Sequence, residues 1–144
     1  MGKVIGEEGF FQAAQMVLAE GRGVVFTPKG NSMLPFIRSG RDSVVLSPLA
    51  RPLEIGDIIL VKIDARYFLH RVYDLHGNEV TLMGDGNLHE KEHCLTSDVI
   101  GIVTEIRKEN GKIILPGKGT FWRLVRPLRR YLLAFYRRVF YENY

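Results

Sequence analysis

The sequence contains a single cysteine, Cys94, among its 144 residues. An intrachain disulfide is therefore excluded, and one unpaired thiol fits a reducing compartment. The longest apolar runs span a handful of residues, whereas a helix that crosses a bilayer needs roughly 20. The first residues are glycine-rich and acidic instead of basic and then apolar, so no signal peptide is expected. These absences predict a soluble, cytoplasmic protein.

Side chains that could bind a metal are also few. His76, His89, His93 and Cys94 lie close together in the sequence, but their spacing matches no zinc-binding pattern. We therefore expect them to be polar loop residues, and we expect no metal and no cofactor.

Charge is distributed unevenly along the chain. The net charge is +4, but residues 118–144 contain seven basic residues and one acidic residue, a net charge of 7 − 1 = +6. Residues 1–117 therefore sum to 4 − 6 = −2. A mildly acidic body is not expected to bind nucleic acid, so the basic tail is the one electrostatic feature that indicates a partner.

Hydrophobic periodicity predicts one helix followed by several short strands. Residues 7–20 have apolar residues at helical spacing, and glycines at 21 and 23 end the pattern. Strand patterns follow at Val24–Thr27, Val44–Leu46, Ile58–Ile63, Tyr67–Tyr73, Glu79–Met83, Val99–Arg107 and Lys112–Leu115. Two hairpin turns are indicated, at His76-Gly77-Asn78 and at Glu109-Asn110-Gly111. The pattern predicts a mainly β fold with a curled, antiparallel sheet or partly open barrel.

The tail has a different pattern. Apolar residues recur at helical spacing over about residues 119–141, and Pro127 is expected to kink this helix or to begin its longer half. The stripe consists of Phe121, Leu124, Val125, Leu128, Leu132, Phe135 and Val139. We therefore divide the chain into a domain at 1–117 and a basic amphipathic helix at 118–144. This helix is expected to bind a membrane surface at the cytoplasmic face or to dock on a partner, and the alternative is that it packs on the body of the protein.

Ser32 is the first candidate for chemistry. It lies in the segment Gly30-Asn31-Ser32-Met33-Leu34-Pro35, where glycine permits a close backbone approach and proline stiffens the chain. Such a segment can present a hydroxyl group to a substrate carbonyl. A serine alone is a weak nucleophile and needs a neighbouring base, and taken alone Ser32 is more typical of a turn residue.

His70 is the candidate base. Strand alternation places it on the same face as Phe68 and Val72, while Arg71 and Leu69 point to the other face. A histidine on an apolar face is usually a hydrogen-bonded core residue, but a partly buried imidazole can also serve as a general base. Asp85, in Met83-Gly84-Asp85-Gly86-Asn87, follows a strand and could either stabilise a turn or orient the imidazole. Asp57, in Gly56-Asp57, is expected to cap a turn.

Taken together and in this order, the four segments resemble the S24/S26 serine peptidases, the superfamily of signal peptidase I and the LexA-like proteins. The matching motifs are Ser32-Met33-Leu34-Pro35, Gly56-Asp57, His70-Arg71 and Gly84-Asp85-Gly86-Asn87, and they cover about residues 24–106. The resemblance implies a serine endopeptidase with the nucleophile at Ser32. It places the base at His70, as in archaeal and endoplasmic-reticulum signal peptidases, and the orienting acid at Asp85.

The sequence departs from the family pattern at three places. Lys91 occupies a position where another acid is often found, which leaves Glu90, Glu92 and Asp98 as further candidates for the orienting role. Gly30 stands where many bacterial members have a serine that completes the oxyanion hole. The family's membrane anchor is not found, so we expect a specialised peptidase that acts on a leader or signal-type peptide from the cytoplasmic side.

Two other functions fit the same motifs. A self-cleaving LexA-like regulator would need a DNA-binding helix-turn-helix or a cleavable arm before the serine, and the sequence offers one N-terminal helix only. A non-catalytic module could bind a peptide along a sheet edge. The presence of Ser32, His70 and Asp85 favours the peptidase.

Overall fold

The computed structural model describes residues 6–30, 32–87, 90–117 and 129–140. Helix α1 (Gly6–Ala19) precedes strands β1 (Val24–Phe26), β2 (Ser43–Ser47), β3 (Ile58–Ile63), β4 (Arg66–His76), β5 (Glu79–Met83) and β6 (Glu92–Leu95). A 3₁₀ turn (Thr96–Asp98) leads into β7 (Val99–Arg107) and β8 (Ile113–Ile114), and helix α2 (Arg129–Phe140) follows. The predicted N-terminal helix and all seven predicted strands are confirmed, with ends that differ by a few residues.

One curled antiparallel sheet contains all eight strands. Its order is β1-β2-β7-β3-β4-β5-β6, with β8 paired to β7, and every pairing is antiparallel. The β2–β7, β3–β7 and β4–β5 pairings each contain a register shift, which is where a sheet bends. The sheet therefore forms the half-barrel that the sequence predicts.

Strand β3 runs through the middle of the core and is buried on both faces. Ile58 and Leu60 belong to one hydrophobic cluster, whereas Ile59 and Val61 belong to another. Residues two apart on a strand share a face, so the continuous apolar run at Ile58–Ile63 is what a strand covered on both sides requires.

The first of these clusters joins helix α1 to the loop that contains Ser32. Phe11 and Leu18 of α1 pack there together with Met33 and Ile37, which follow Ser32. The ring of Phe11 lies 4.5 Å from that of Tyr67 on β4, measured between centroids. The helix and the serine loop therefore share one core, which fixes this loop relative to β4.

The hairpin turns lie where the sequence predicts them. Strands β4 and β5 pair His76 with Glu79 around Gly77, whose φ is +60°. Gly111, with φ +92°, closes the turn between β7 and β8. At such positive φ values glycine is unstrained, whereas most residues are not.

The prediction of a polar loop is wrong for His76, which is the last residue of β4, and it is also wrong for His93 and Cys94. Both belong to β6, an edge strand that pairs with β5, and the Cys94 side chain is buried in the second cluster. The segment Glu-His-Cys-Leu has little β-branched character, which is why its pattern did not predict a strand.

The predicted tail helix is described in its second half only, as α2. Pro127 and the stripe residues Phe121, Leu124, Val125 and Leu128 lie outside the described residues, as does His89. Within the part of the chain that the structure describes, no helix is both long and apolar enough to span a bilayer.

Candidate active site

The loop that contains Ser32 is held by the residues that follow it. The backbone N–H groups of Phe36 and Ile37 both donate to the carbonyl oxygen of Met33, each at 3.0 Å. The Met33 and Ile37 side chains are buried in the core, whereas Ser32 itself is only half-buried. Met33 and Ile37 therefore attach the loop to the core, while Ser32 lies at the surface of that core.

Gly30 makes the turn before the serine. Its φ is +100°, a conformation that favours glycine, and its N–H donates to the Ser39 hydroxyl at 2.8 Å. Ser39 thus closes the loop from its far end. The Gly30 N–H is engaged within the loop instead of pointing to a substrate.

A second loop, Gly84-Asp85-Gly86, is hydrogen-bonded directly to the serine loop. The Gly86 N–H donates to the Ser32 carbonyl oxygen at 2.6 Å, and the Asp85 N–H contacts the Met33 sulfur at 3.4 Å. Two motifs that are about 50 residues apart in the sequence are therefore adjacent in space.

Gly84 allows this close approach because it has no side chain. A Cβ atom built on Gly84 would overlap the Ser32 carbonyl oxygen and would lie 3.1 Å from His70 Nε2. The Ser32 backbone and the Nε2 edge of His70 thus approach the same backbone position. The glycine in this motif is a steric requirement of the site.

His70 lies in the middle of β4, where it pairs with Ile59 of β3 and is 5% exposed. Its ring lies 5.6 Å from that of Phe68, between centroids. Its Nδ1 atom makes a short contact with the Glu92 carboxylate. Because Nδ1 meets a carboxylate, the imidazole is held in one orientation with Nε2 directed towards Gly84 and the serine loop.

Strand β6 supplies the carboxylate. Glu92 is its first residue and pairs with Leu82 of β5, which is the neighbour of β4 in the sheet. The Glu92 side chain is 15% exposed. The sequence pattern did not predict this strand, so the strand pairing that brings Glu92 to His70 could not be predicted either.

Arg71, the neighbour of His70, points to the other face of β4 and joins three segments. It makes a bidentate pair with Asp85, with Nε–Oδ1 and Nη2–Oδ2 distances of 2.9 and 2.8 Å. Nη1 donates to the carbonyl oxygens of Gly56 at 2.9 Å and Gly117 at 2.5 Å. Both charged side chains are almost fully buried. Arg71 therefore links the Gly56-Asp57, His70-Arg71 and Gly84-Asp85 motifs.

Asp57 stabilises the turn into β3. Its carboxylate accepts hydrogen bonds from the Glu54 N–H at 2.8 Å and from both terminal nitrogens of Arg51 at 2.9 Å. The hydrogen bonds and charge of Asp57 raise the pKa of Arg51 above its usual value. Asp57 makes the capping contacts that the sequence predicts for it.

Ser32 and His70 both line one cleft of about 310 Å³. The residues around it include basic, acidic and aromatic side chains: Lys29, Arg66, Tyr67, Phe68, Asn87, Glu90 and Glu92. The lining of the cleft thus includes residues that carry a hydroxyl, an imidazole and a carboxylate. A histidine oriented by a carboxylate can take a proton from a hydroxyl and return it to a leaving group.

The sequence-predicted residues thus fall into two groups. Ser32, His70 and Glu92 line the cleft, together with Glu90. Asp85 is bonded to Arg71, and Asp98 accepts a hydrogen bond from the Leu95 N–H at 2.8 Å in the 3₁₀ turn. Asp85 as the orienting acid stays a prediction. Arg71 was named only as part of the His70-Arg71 motif and was given no partner, although a buried arginine requires a carboxylate.

Comparison with known proteins identifies a family. A comparison with curated proteins gives no match. A family model described as Peptidase S24-like matches residues 3–107, which include all four motifs and strands β1–β7. This match covers more than half of the chain, and the chain belongs to the Peptidase S24-like family.

Proposed function

We propose that this protein is a serine endopeptidase that cleaves an extended peptide segment of leader or signal type. The contact between His70 Nδ1 and Glu92 carries the proposal, since it orients the imidazole that shares a cleft with Ser32. An oriented imidazole beside a serine in a cleft is what a general base in acyl transfer requires.

In the proposed reaction Ser32 Oγ attacks the carbonyl carbon of the scissile bond, and its proton passes to His70 Nε2. Glu92 stabilises the imidazolium that forms. The C–N bond then breaks as His70 returns the proton to the leaving amine, which leaves an ester on Ser32. A water molecule deprotonated by His70 hydrolyses this ester and restores the serine.

The developing oxyanion needs backbone donors. The Ser32 N–H is the first candidate, because the nucleophile's own amide lies beside the attacked carbonyl in this family. The Gly30 N–H is already donated to Ser39, so Gly30 is not proposed as the second donor. The loop geometry thus supports a donor set that differs from that of bacterial members with a serine at this position.

Glu92 is proposed for the orienting role, and two variants separate it from Asp85. Glu92→Gln should leave the fold intact and lower kcat by roughly 10²–10⁴-fold, because the imidazole loses the carboxylate that holds it in the productive tautomer and orientation. Asp85→Asn should lower stability instead, by roughly 3–5 kcal/mol, because the buried Arg71 loses its counter-charge. A stable, inactive Asp85→Asn protein beside an active Glu92→Gln protein would restore Asp85 as the orienting acid.

A peptide-library digest tests the proposed activity. Purified protein is incubated with a defined mixture of unstructured peptides, and new termini are identified by mass spectrometry. Wild type should produce a consistent set of cleavage sites, and Ser32→Ala should produce none. The exposed Ser97 gives a matched control, since Ser97→Ala should cleave as wild type does. Cleavage that persists in Ser32→Ala would overturn the proposal, and so would wild type that binds peptides without cleaving them.

The same preparation, incubated alone at alkaline pH, tests the self-cleaving alternative. The proposal expects the intact mass to stay constant. A shortened chain that depends on Ser32 would instead indicate a LexA-like regulator.

A further inference from the structure

Helix α2 presents apolar side chains to solvent on one face. Tyr131, Leu132 and Phe135 are 68%, 41% and 67% exposed, whereas Leu133 is 3% exposed. Tyr131 and Phe135 are four residues apart, so their rings lie one above the other on the same face of the helix. Leu133 is turned away from that face and is buried. Among the described residues of the helix, Leu133 is therefore covered and the aromatic side is not.

The same helix carries positive charge only. Arg129, Arg130, Arg137 and Arg138 lie within it, and it contains no acidic residue. Arg138 is exposed and lies one turn beyond Phe135, on the aromatic face. Rings and cations therefore share one surface, which we call the α2 outer face: Tyr131, Leu132, Phe135 and Arg138.

We propose that the α2 outer face binds the surface of an anionic phospholipid bilayer. The helix would lie in the plane of the interface, with Tyr131 and Phe135 at the level of the headgroups and Arg138 near the lipid phosphates. Over its 12 described residues the helix is about 18 Å long, shorter than the roughly 30 Å hydrocarbon core, which fits a helix that lies on the bilayer surface.

A bilayer fits this face better than a nucleic acid does. Leu132 and Phe135 gain free energy by leaving water for an acyl phase, but they have no apolar phase to enter on a phosphate backbone. The net charge of −2 on residues 1–117 also opposes a polyanion that would wrap the body. A planar anionic surface contacts the +6 tail and leaves the body in solution.

Vesicle binding by the full chain tests the proposal. The single tryptophan, Trp122, lies in the tail and gives an intrinsic fluorescence signal. Vesicles of phosphatidylcholine with about one-third phosphatidylglycerol should shift its emission to the blue and should sediment the protein. Vesicles of phosphatidylcholine alone should bind at least about tenfold more weakly. Binding should weaken as the salt concentration rises, because screening reduces the attraction.

Substitutions on the α2 outer face should weaken binding by defined amounts. Arg138→Gln should reduce the partition coefficient about fivefold, the contribution of one basic residue near an anionic surface. Phe135→Ala should reduce the partition coefficient about tenfold, because the ring that would enter the bilayer interface is removed. Matched controls are Arg22→Gln and Met16→Ala, since Arg22 and Met16 are exposed elsewhere on the protein. Both controls should bind as wild type does.

Several results would overturn the proposal. Equal binding to both vesicle types would show that electrostatic attraction does not contribute to binding. Unchanged binding of Phe135→Ala would show that the apolar side chains do not contribute. A protein that ignores vesicles but binds a short DNA duplex would make the tail a nucleic-acid site. The variants change exposed side chains, so circular dichroism should show a native fold, and vesicle binding is independent of peptidase activity.

Discussion

Asp42 is the residue whose removal should most clearly loosen the support of the serine loop. It is fully buried, and its carboxylate accepts hydrogen bonds from Arg38 and from Lys108 Nζ, the latter at 2.7 Å. Lys108 also donates to the Phe36 carbonyl oxygen at 2.9 Å. This cluster thus ties the end of the serine loop to the β7–β8 turn.

The electrostatic contribution of Asp42 follows from its pKa. Burial alone would raise the pKa, but hydrogen bonds from Arg38 and Lys108 outweigh it and lower the pKa from 3.8 to about 2. One pKa unit corresponds to about 1.4 kcal/mol, so the ionised carboxylate stabilises the fold by about 2 kcal/mol. The folded pKa lies below the unfolded one. This stability is therefore present above pH 3.8 and is lost as the pH falls towards 2.

Urea unfolding of wild type and Asp42→Asn across pH tests this value. At pH 7 the variant should be less stable by about 2 kcal/mol, and the difference should shrink as the pH falls from 4 to 2 because wild-type Asp42 becomes protonated. Asp64→Asn is the control, since Asp64 is exposed and should differ from wild type by less than about 0.5 kcal/mol. A difference that stays constant from pH 7 to pH 2 would refute the reasoning.

Two further substitutions or treatments have defined outcomes. Gly84→Ala should abolish cleavage and lower the melting temperature, because the added Cβ would overlap the Ser32 carbonyl oxygen. Gly23→Ala is the control and should behave as wild type, because its Cβ would make only ordinary contacts. An active Gly84→Ala enzyme would refute the close approach of Gly84 to Ser32. Cys94 should react with a thiol reagent at least about 100-fold more slowly in the native protein than in urea, because burial raises the pKa of its thiol from 9.0 to about 11. Equal reaction rates in the two conditions would contradict the burial of Cys94.

Much of the sheet could be predicted because its strands have strong local signals. Strand β3 is continuously apolar since both of its faces are buried, and the turns at Gly77 and Gly111 need glycine for their positive φ. Strand β6 has no such signal. It is a four-residue edge strand whose Leu95 is exposed, so its pairing with β5 depends on tertiary context.

The candidate site was predictable for Ser32 and His70 but not for the full set of contacts. Asp85 and Glu92 both follow β5 in the sequence, and only the folded chain decides which carboxylate contacts His70 and which contacts Arg71. His70 and its neighbour Arg71 point to opposite faces of β4, so each has a different acid as partner. Strand alternation could have predicted one acid on each face of β4, but it could not have predicted which acid lies on which face.

The central claim, that Ser32 and His70 act as one catalytic unit, is tested most directly by a double-variant cycle. With a peptide identified in the library digest, kcat/KM is measured for Ser32→Ala, His70→Ala and the double variant. Each single variant should lose at least about 10³-fold, and the double variant should be no worse than either, because groups that act as a unit lose their effect together. Losses that multiply in the double variant, or a Ser32→Ala variant that keeps the wild-type kcat/KM, would contradict the account.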